Sequence, residues 1–149
     1  MPLPLDVGQL ALRLNGLIGT PQDAAINLSN QNQAWAYSLG SISGGIAPTY
    51  AVIDGVPNVI IGNALGTVYR LNASTGALIH SFSTGGGAIN SSPVVANGTV
   101  YVASSGASGS ILAYDVETRK IKWKYTGFGS FTATGTMALR NNRLFVPLV

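Results

Sequence analysis

The chain has 149 residues, the usual size of one domain, and its composition excludes several classes of protein. Charged residues make up only 9%, and 19 Gly and 7 Pro favour a turn-dense all-β protein over a disordered one. A net charge of +3 is too small for a nucleic-acid-binding surface, and the absence of cysteine excludes disulfides and thiolate metal sites. No segment is long and apolar enough for a signal peptide or a membrane span. We therefore expect no nucleic-acid partner and no membrane span.

The first predicted repeat covers about residues 9–39. Its second half, Asn27–Tyr37, matches a stretch 45 positions later, Asn72–Phe82. Its opening stretch, Leu10–Gly19, resembles Met137–Val146 near the C-terminus. Self-similarity at a period of about 40–45 residues is typical of β-propeller blades.

The second predicted repeat covers about residues 46–83 and the third about 92–126. Gly66–Phe82 aligns without gaps on Gly109–Tyr125, 43 positions later. Within each repeat, turn signals such as Asp54-Gly55 and Asn97-Gly98 separate short runs of strand-forming residues. A half repeat follows at about 132–149. The sequence therefore predicts an all-β fold: β-propeller blades of four antiparallel strands, forming an incomplete ring of about three and a half blades.

One motif recurs in register: a strand, then Asn or Asp, two residues, Thr-Gly, and a strand that carries Trp. It stands at Asn72–Gly76, followed by His80, and at Asp115–Arg119, followed by Trp123. This pattern resembles the tryptophan-docking repeat of the pyrroloquinoline-quinone (PQQ) type propellers. The resemblance implies blade-docking roles for four residues, namely Trp35, His80, Trp123 and Gly76. His80 departs from the pattern by replacing Trp, and Arg119 by replacing Gly, which predicts a strained or different turn at Arg119.

Two features suggest sites of other kinds, and the residues favour structural interpretations of both. His80, the only histidine, has no carboxylate or second histidine nearby in the sequence, so packing is favoured over catalysis or metal binding. In Lys120–Lys124, lysines alternate with Ile121 and Trp123, which is typical of an outer strand that Lys protects against edge pairing. The acidic residues are scattered and stand mostly at turns. We therefore predict no catalytic, cofactor-binding or metal-binding residue in this chain.

Four Asn-x-Ser/Thr sequons predict N-glycosylation if the protein is secreted: Asn27, Asn72, Asn90 and Asn97. They favour, slightly, an extracellular or periplasmic protein whose signal peptide is not in this chain.

Three functions are compatible with the sequence. The favoured one is a non-catalytic binding or assembly scaffold that is part of a larger chain or oligomer. The resemblance also implies a fragment of a PQQ-dependent alcohol or sugar dehydrogenase, which would need PQQ and Ca²⁺, and repeat architecture allows a structural subunit of a ring or filament. Seven blades would need roughly 300 residues at this period. We therefore expect partners that supply further blades: the same chain, a second copy or another subunit.

Overall fold

The computed structural model describes residues 10–17, 20–42 and 46–149, and it contains strands but no helix within those ranges. The start of the first predicted repeat, at about residue 9, lies outside the described part. The strands, in chain order, are β1 (Leu10–Leu17), β2 (Thr20–Asn27), β3 (Gln33–Ser38), β4 (Thr49–Ile53), β5 (Val56–Gly62), β6 (Thr67–Asn72), β7 (Leu78–Ser83), β8 (Ser91–Ser92), β9 (Val94–Ala96), β10 (Thr99–Ser104), β11 (Ser110–Asp115), β12 (Lys120–Tyr125), β13 (Gly135–Thr136), β14 (Ala138–Arg140) and β15 (Arg143–Phe145).

The strands pair with their chain neighbours in antiparallel sheets. β4–β7 form one four-stranded sheet in sequence order, and β9–β12 form a second. β1–β3 form a three-stranded sheet, and β14 and β15 form a hairpin. A short parallel pair, β8 with β13, joins the segment before β9 to the segment before β14. The predicted all-β class of antiparallel four-stranded sheets is confirmed, and the division into separate blades at the predicted boundaries stays a prediction.

Two-residue turns join the first two strands of each four-stranded sheet. At Asp54-Gly55 the φ angles are 52° and 76°, and at Asn97-Gly98 they are 49° and 71°. Two successive positive φ angles give the turn a twist that matches paired strands, and Asn, Asp and Gly tolerate them best. The last hairpin uses the same device at Asn141-Asn142. The two turns predicted from sequence are therefore confirmed.

The ends of the chain differ in structure despite their similar sequences. Leu10–Leu17 is one continuous strand, paired along its whole length with β2. The matching C-terminal stretch instead folds back on itself as the β14–β15 hairpin. Residues 18 and 19 of the N-terminal stretch, like residue 9 of the first predicted repeat, lie outside the described part of the chain. The similarity of the two ends therefore does not extend to their hydrogen bonding.

The buried apolar side chains lie where one sheet contacts the next. The largest buried cluster joins the β4–β7 sheet to the β9–β12 sheet and includes Ile60, Val68, Val100 and Leu112. A second cluster joins the β1–β3 sheet to β4–β7, and a third joins β9–β12 to the last hairpin. Each sheet therefore depends on its neighbours for a core, as expected of propeller blades.

Candidate functional site: the positions where one sheet docks on the next

Trp35 is the first docking residue, and it is buried against the next sheet. Its side chain is 7% exposed, and its indole Nε1–H donates a hydrogen bond of 2.8 Å to the carbonyl oxygen of Ala73. The ring lies over Gly76, where φ is 74° and an added Cβ would be only 2.7 Å from the ring carbons. Glycine therefore serves two purposes here, because it allows the left-handed backbone and leaves room for the indole.

His80 occupies the second docking position but contacts a different partner. Its Nε2 shares a hydrogen bond of 2.8 Å with the Tyr114 hydroxyl, and Phe82 stacks on the Tyr114 ring with a centroid separation of 3.7 Å. Burial lowers the pKa of His80, and the positive charges of Arg119 and Arg70 lower it further. These surroundings favour the neutral imidazole. In the described part of the chain, no acidic side chain is hydrogen-bonded to it.

Arg119 stands where Gly76 stands one repeat earlier. Its φ is 57°, close to the 74° of Gly76 and the 56° of Gln31, the corresponding residue of the first repeat. The turn is thus the same in all three repeats, so that of the two outcomes expected at Arg119, a strained or a different turn, the structure shows the strained one. A non-glycine residue in this region does carry backbone strain, as expected. The turn keeps its shape because Asp115 Oδ1 accepts the N–H groups of residues 117 and 118, as Asn72 does in the previous repeat.

Trp123 occupies the third docking position, and it is uncovered. Its side chain is 45% exposed, against 7% for Trp35. It borders an open apolar groove of about 520 Å³ between β12 and the last hairpin. The groove is lined by Ile111, Trp123, Tyr125, Phe128, Leu144, Phe145 and Val146. Among the described residues, none stands over Trp123 as Ala73 and Gly76 do over Trp35.

A β-bulge precedes each docking residue, and the sequence analysis missed it. The pairing of β11 with β12 runs from Ala113↔Trp123 to Tyr114↔Ile121, so Lys122 is an extra residue. The same one-residue shift occurs before Trp35 and before His80. A bulge turns the side chain that follows it, which aims the docking residue at the next sheet.

The bulge also corrects the interpretation of the lysine-rich strand. Strict alternation of faces is interrupted at Lys122, and the whole of Lys120–Tyr125 is exposed. Lys122 Nζ lies 3.8 Å from an Asp115 carboxylate oxygen and donates to the Thr99 hydroxyl at 3.1 Å. Lys124 Nζ donates to the Thr84 carbonyl at 3.0 Å. Lys122 is thus tied to residues of its own sheet, and Lys124 to the segment that follows β7, rather than both being gathered into an anion-binding patch.

The four sequon asparagines have different surroundings. Asn97 is exposed in its turn, and the amide oxygens of Asn27 and Asn72 accept backbone N–H groups of their own turns. Asn90 is partly buried, and its side chain donates to the Ser105 hydroxyl at 3.2 Å. Modification of all four stays a prediction.

The acidic groups do not assemble into a cation site in the described part of the chain, where no cluster of three or more His, Asp or Glu occurs. The Asp115 carboxylate accepts two turn N–H groups and pairs with Lys122, so its oxygens already have partners. Backbone hydrogen bonding from Thr118 lowers the pKa of this carboxyl. These residues do not fit the Ca²⁺ that a bound PQQ would need. Within the described ranges, no helix has the length and apolar character to cross a membrane.

Comparison with known structures supports the propeller architecture. BamB from Moraxella catarrhalis aligns over 95% of this chain and 43% of its own, with 16% identity and a TM-score of 0.67. A quinohemoprotein alcohol dehydrogenase from Comamonas testosteroni aligns over 82% of this chain and 20% of its own, with 23% identity and a TM-score of 0.60. The computationally designed Ika4 protein aligns over 95% of this chain and 84% of its own, with 15% identity and a TM-score of 0.65.

The chain spans less than half the length of BamB and about a fifth of that of the dehydrogenase. At these identities the likeness concerns the fold alone. No curated protein matches the sequence. The family model described as outer membrane protein assembly factor BamB matches residues 23–148, nearly the whole described chain. The chain therefore belongs to the BamB family of PQQ-like β-propeller proteins.

Proposed function

We propose that this chain is a non-catalytic scaffold that binds or assembles other proteins, as part of a larger propeller. The observation that carries the proposal is the uncovered third docking position. Trp35 and His80 each contact the next sheet, whereas Trp123 borders an open apolar groove. A docking position without its partner is a surface for association.

The character of the groove supports this role. Its lining is entirely apolar or aromatic, and Trp123, Tyr125, Phe128 and Phe145 are all about half exposed. Soluble proteins rarely leave a contiguous surface of this kind uncovered unless it binds something. Aromatic residues at the centre of such a patch are the side chains that contribute most to protein–protein binding.

The edge strand beside the groove supports association as well. β15 pairs only with β14 in the described part of the chain, so its outer backbone groups are free to receive another strand. An uncovered edge is prone to uncontrolled pairing, and proteins normally cover it. A partner that fills the groove would cover this edge too.

The alternative function is a fragment of a PQQ-dependent alcohol or sugar dehydrogenase, and the structural likeness to a quinohemoprotein alcohol dehydrogenase is the observation in its favour. Against it stands the donor set, because the described carboxylates are separated and Asp115 is already paired. The third function, a structural subunit of a ring or filament, is also a form of assembly. It differs from the favoured scaffold in that the partner is another copy of the repeat protein.

A titration with PQQ and Ca²⁺, followed by absorbance and by dye-linked alcohol oxidation, separates scaffold from enzyme fragment. We expect no saturable spectral change and no dye reduction. Saturable PQQ binding accompanied by turnover would overturn the scaffold function in favour of the dehydrogenase fragment.

We further propose an extracellular or periplasmic location. Its support is the family description, which names an outer membrane assembly factor. Fractionation of cells that express the complete gene tests this, and recovery in the cytosolic fraction alone would contradict it.

A further inference from the structure

The junction between the second and third repeats carries basic side chains where the other repeats are uncharged. Arg70 stands on β6 at the position that Ala25 and Ala113 occupy in the repeats before and after it, and both alanines are fully buried. In each repeat this position is paired across the sheet with the docking residue, so Arg70 lies opposite His80. A basic pair therefore replaces the apolar pair of the other two repeats.

Arg119, in the turn after β11, is the third basic residue of this junction. The equivalent turn positions of the other repeats hold Gly76 and Gln31, which are uncharged. Burial lowers the pKa of Arg70 and of His80, and the charge of Arg119 lowers both further. Three basic side chains from three different elements thus lie within electrostatic range of one another. We call Arg70, His80 and Arg119 the basic cluster.

A buried amide holds Arg70 in place within this cluster. The Nε–H of Arg70 donates a hydrogen bond of 2.8 Å to Oδ1 of Asn58, which is 0% exposed. Asn58 is itself fixed, because its Nδ2 donates to the Val56 carbonyl at 2.6 Å. The bond to Asn58 uses only the Nε–H, so the N–H groups of both terminal nitrogens remain for another acceptor. An oriented guanidinium of this kind loses little side-chain entropy when it binds an anion.

No carboxylate of the described residues neutralises the basic cluster by direct contact. The one ion pair among the described side chains joins Lys122 to Asp115, whose carboxylate also accepts two N–H groups of its turn. Asp54, in the turn before β5, acts on Arg70 through its charge but forms no ion pair with it, and Glu117 forms none either. A partly buried charge that lacks a counter-charge is unfavourable, so an anion would stabilise this junction.

We propose that Arg70, His80 and Arg119 form a binding site for a tetrahedral dianion of the phosphate or sulfate type. Two permanently charged guanidinium groups match the two negative charges of such an ion, whereas a single carboxylate would neutralise only one of them. Guanidinium groups bind these oxygens through paired N–H donors, and the bonds are stronger than those between neutral groups. Because the Tyr114 hydroxyl occupies Nε2 of the imidazole, Nδ1 is the ring nitrogen that remains for the ion.

The ion lies at the solvent-facing rim of the junction rather than inside it. The gap lined in part by Arg70, His80 and Tyr114 has a volume of about 10 Å³, which is too small for a tetrahedral ion. Arg119 is exposed and the other two basic side chains are partly buried, so the cluster is open to solvent. Phe82, stacked on Tyr114, and the apolar lining of the gap lower the local dielectric and strengthen the attraction. The basic cluster lies outside the open groove, so the site does not depend on the scaffold function.

NMR of the single histidine tests the site directly. The imidazole C–H resonances of His80 are followed in the full chain at about pH 8, where this side chain is neutral, during titration with sodium sulfate or inorganic phosphate. Sodium chloride at equal ionic strength is the control. We expect saturable shifts with sulfate and phosphate and no saturable shift with chloride. Sulfate should also raise the pKa of His80, because a bound dianion stabilises the imidazolium.

Arg119→Gln removes one charge from the site and suits the turn, because Gln31 has nearly the same φ in the equivalent position, 56° against 57°. This variant should bind sulfate about tenfold more weakly or worse, since a charge-assisted hydrogen bond is lost. The matched control is Arg143→Gln, the same change at an exposed residue of β15, and it should bind sulfate as the wild type does. Arg70→Ala, which introduces the residue found in the other repeats, should remove the saturable response.

Three results would each overturn the proposal: no saturable response in the wild type, an equal response to chloride, or equal sulfate affinity in Arg119→Gln and the wild type. A loss in Arg143→Gln as large as that in Arg119→Gln would also overturn it, because binding would then follow net charge alone. Urea denaturation shows whether Arg119→Gln is folded. If it is not, Arg70→Ala decides the same question, and an unchanged sulfate affinity in that variant would refute the site.

Discussion

Two requirements favour glycine at position 76: a left-handed backbone and close contact with the Trp35 ring. Gly55 shares only the first of them. Gly76 and Gly55 have nearly the same φ, 74° and 76°. An added Cβ would meet the Trp35 ring at Gly76 but nothing within 4 Å at Gly55. Two separate variants, Gly55→Ala and Gly76→Ala, therefore distinguish the loss of stability due to the backbone from the loss due to the steric contact.

We expect Gly55→Ala to lower the free energy of unfolding by about 1 kcal/mol, which is the cost of the left-handed backbone alone. Gly76→Ala should lower it by roughly 3 kcal/mol or more, because the indole must also move and its bond to Ala73 is lost. Urea denaturation of the two variants measures both values. Equal losses would show that Trp35 is not fixed over the turn.

His80 makes stability depend on pH at the residue scale. Burial, aided by Arg119 and Arg70, lowers its pKa below 6.5 in the folded chain. The unfolded chain therefore takes up a proton at a higher pH than the folded chain, and stability rises with pH across this interval. The contribution of neutral His80 should be complete above pH 6.5 and lost as the pH falls towards the folded-state pKa.

His80→Gln provides the control for this pH dependence, since the chain has no other histidine. Urea denaturation between pH 5 and 7.5 should show a loss of stability on acidification in the wild type that is reduced in the variant. The same slope in both proteins would assign the effect to carboxyl groups instead.

At the scale of the element, each outer strand is placed by its bulge and by the turn before it. The extra residue stands directly before Trp35, His80 and Trp123 alike, although the residues that occupy it, Ala34, Ile79 and Lys122, have nothing in common. A feature that depends on hydrogen-bond register and not on side-chain type leaves no mark in one sequence. Sequence reasoning therefore found the docking positions but not the device that aims them.

At the junction between the second and third repeats, His80 and Arg119 can be replaced by the Trp and Gly that stand at the preceding junction. This exchange tests whether the docking residue and the turn residue are energetically coupled. His80→Trp alone should destabilise the chain by about 1–3 kcal/mol, because the indole meets the Cβ of Arg119 and the bond to Tyr114 is lost. Adding Arg119→Gly should recover at least about 1 kcal/mol of that loss. Arg119→Gly in the wild-type background completes the double-mutant cycle. Additive effects would mean that docking residue and turn are independent.

At the scale of the whole molecule, the repeat and its turns were predictable because they depend on local sequence. Asp54-Gly55 and Asn97-Gly98 form the turns expected of them. The contacts between sheets were not predictable in the same detail. His80 is hydrogen-bonded to Tyr114, 34 residues away. This pairing depends on the stacking of Phe82 on Tyr114 and on the space between the β4–β7 and β9–β12 sheets.

The exposure of Trp123 among the described residues likewise depends on packing between sheets. Its sequence position is equivalent to that of Trp35, so pattern alone assigns both the same structural role. The difference is that Ala73 and Gly76 cover Trp35, whereas no described residue covers Trp123 in that way. The open groove, on which the proposed function rests, thus became evident only from the packing.

Acrylamide quenching of tryptophan fluorescence tests this difference most directly, because the chain has only two tryptophans. The wild type should show two classes of emission, one readily quenched and one protected. Trp123→Phe, which leaves Trp35 alone, should retain only the protected class. If Trp123→Phe were quenched as readily as the wild type, or if the wild type showed protected emission only, the open docking site at Trp123 would be contradicted.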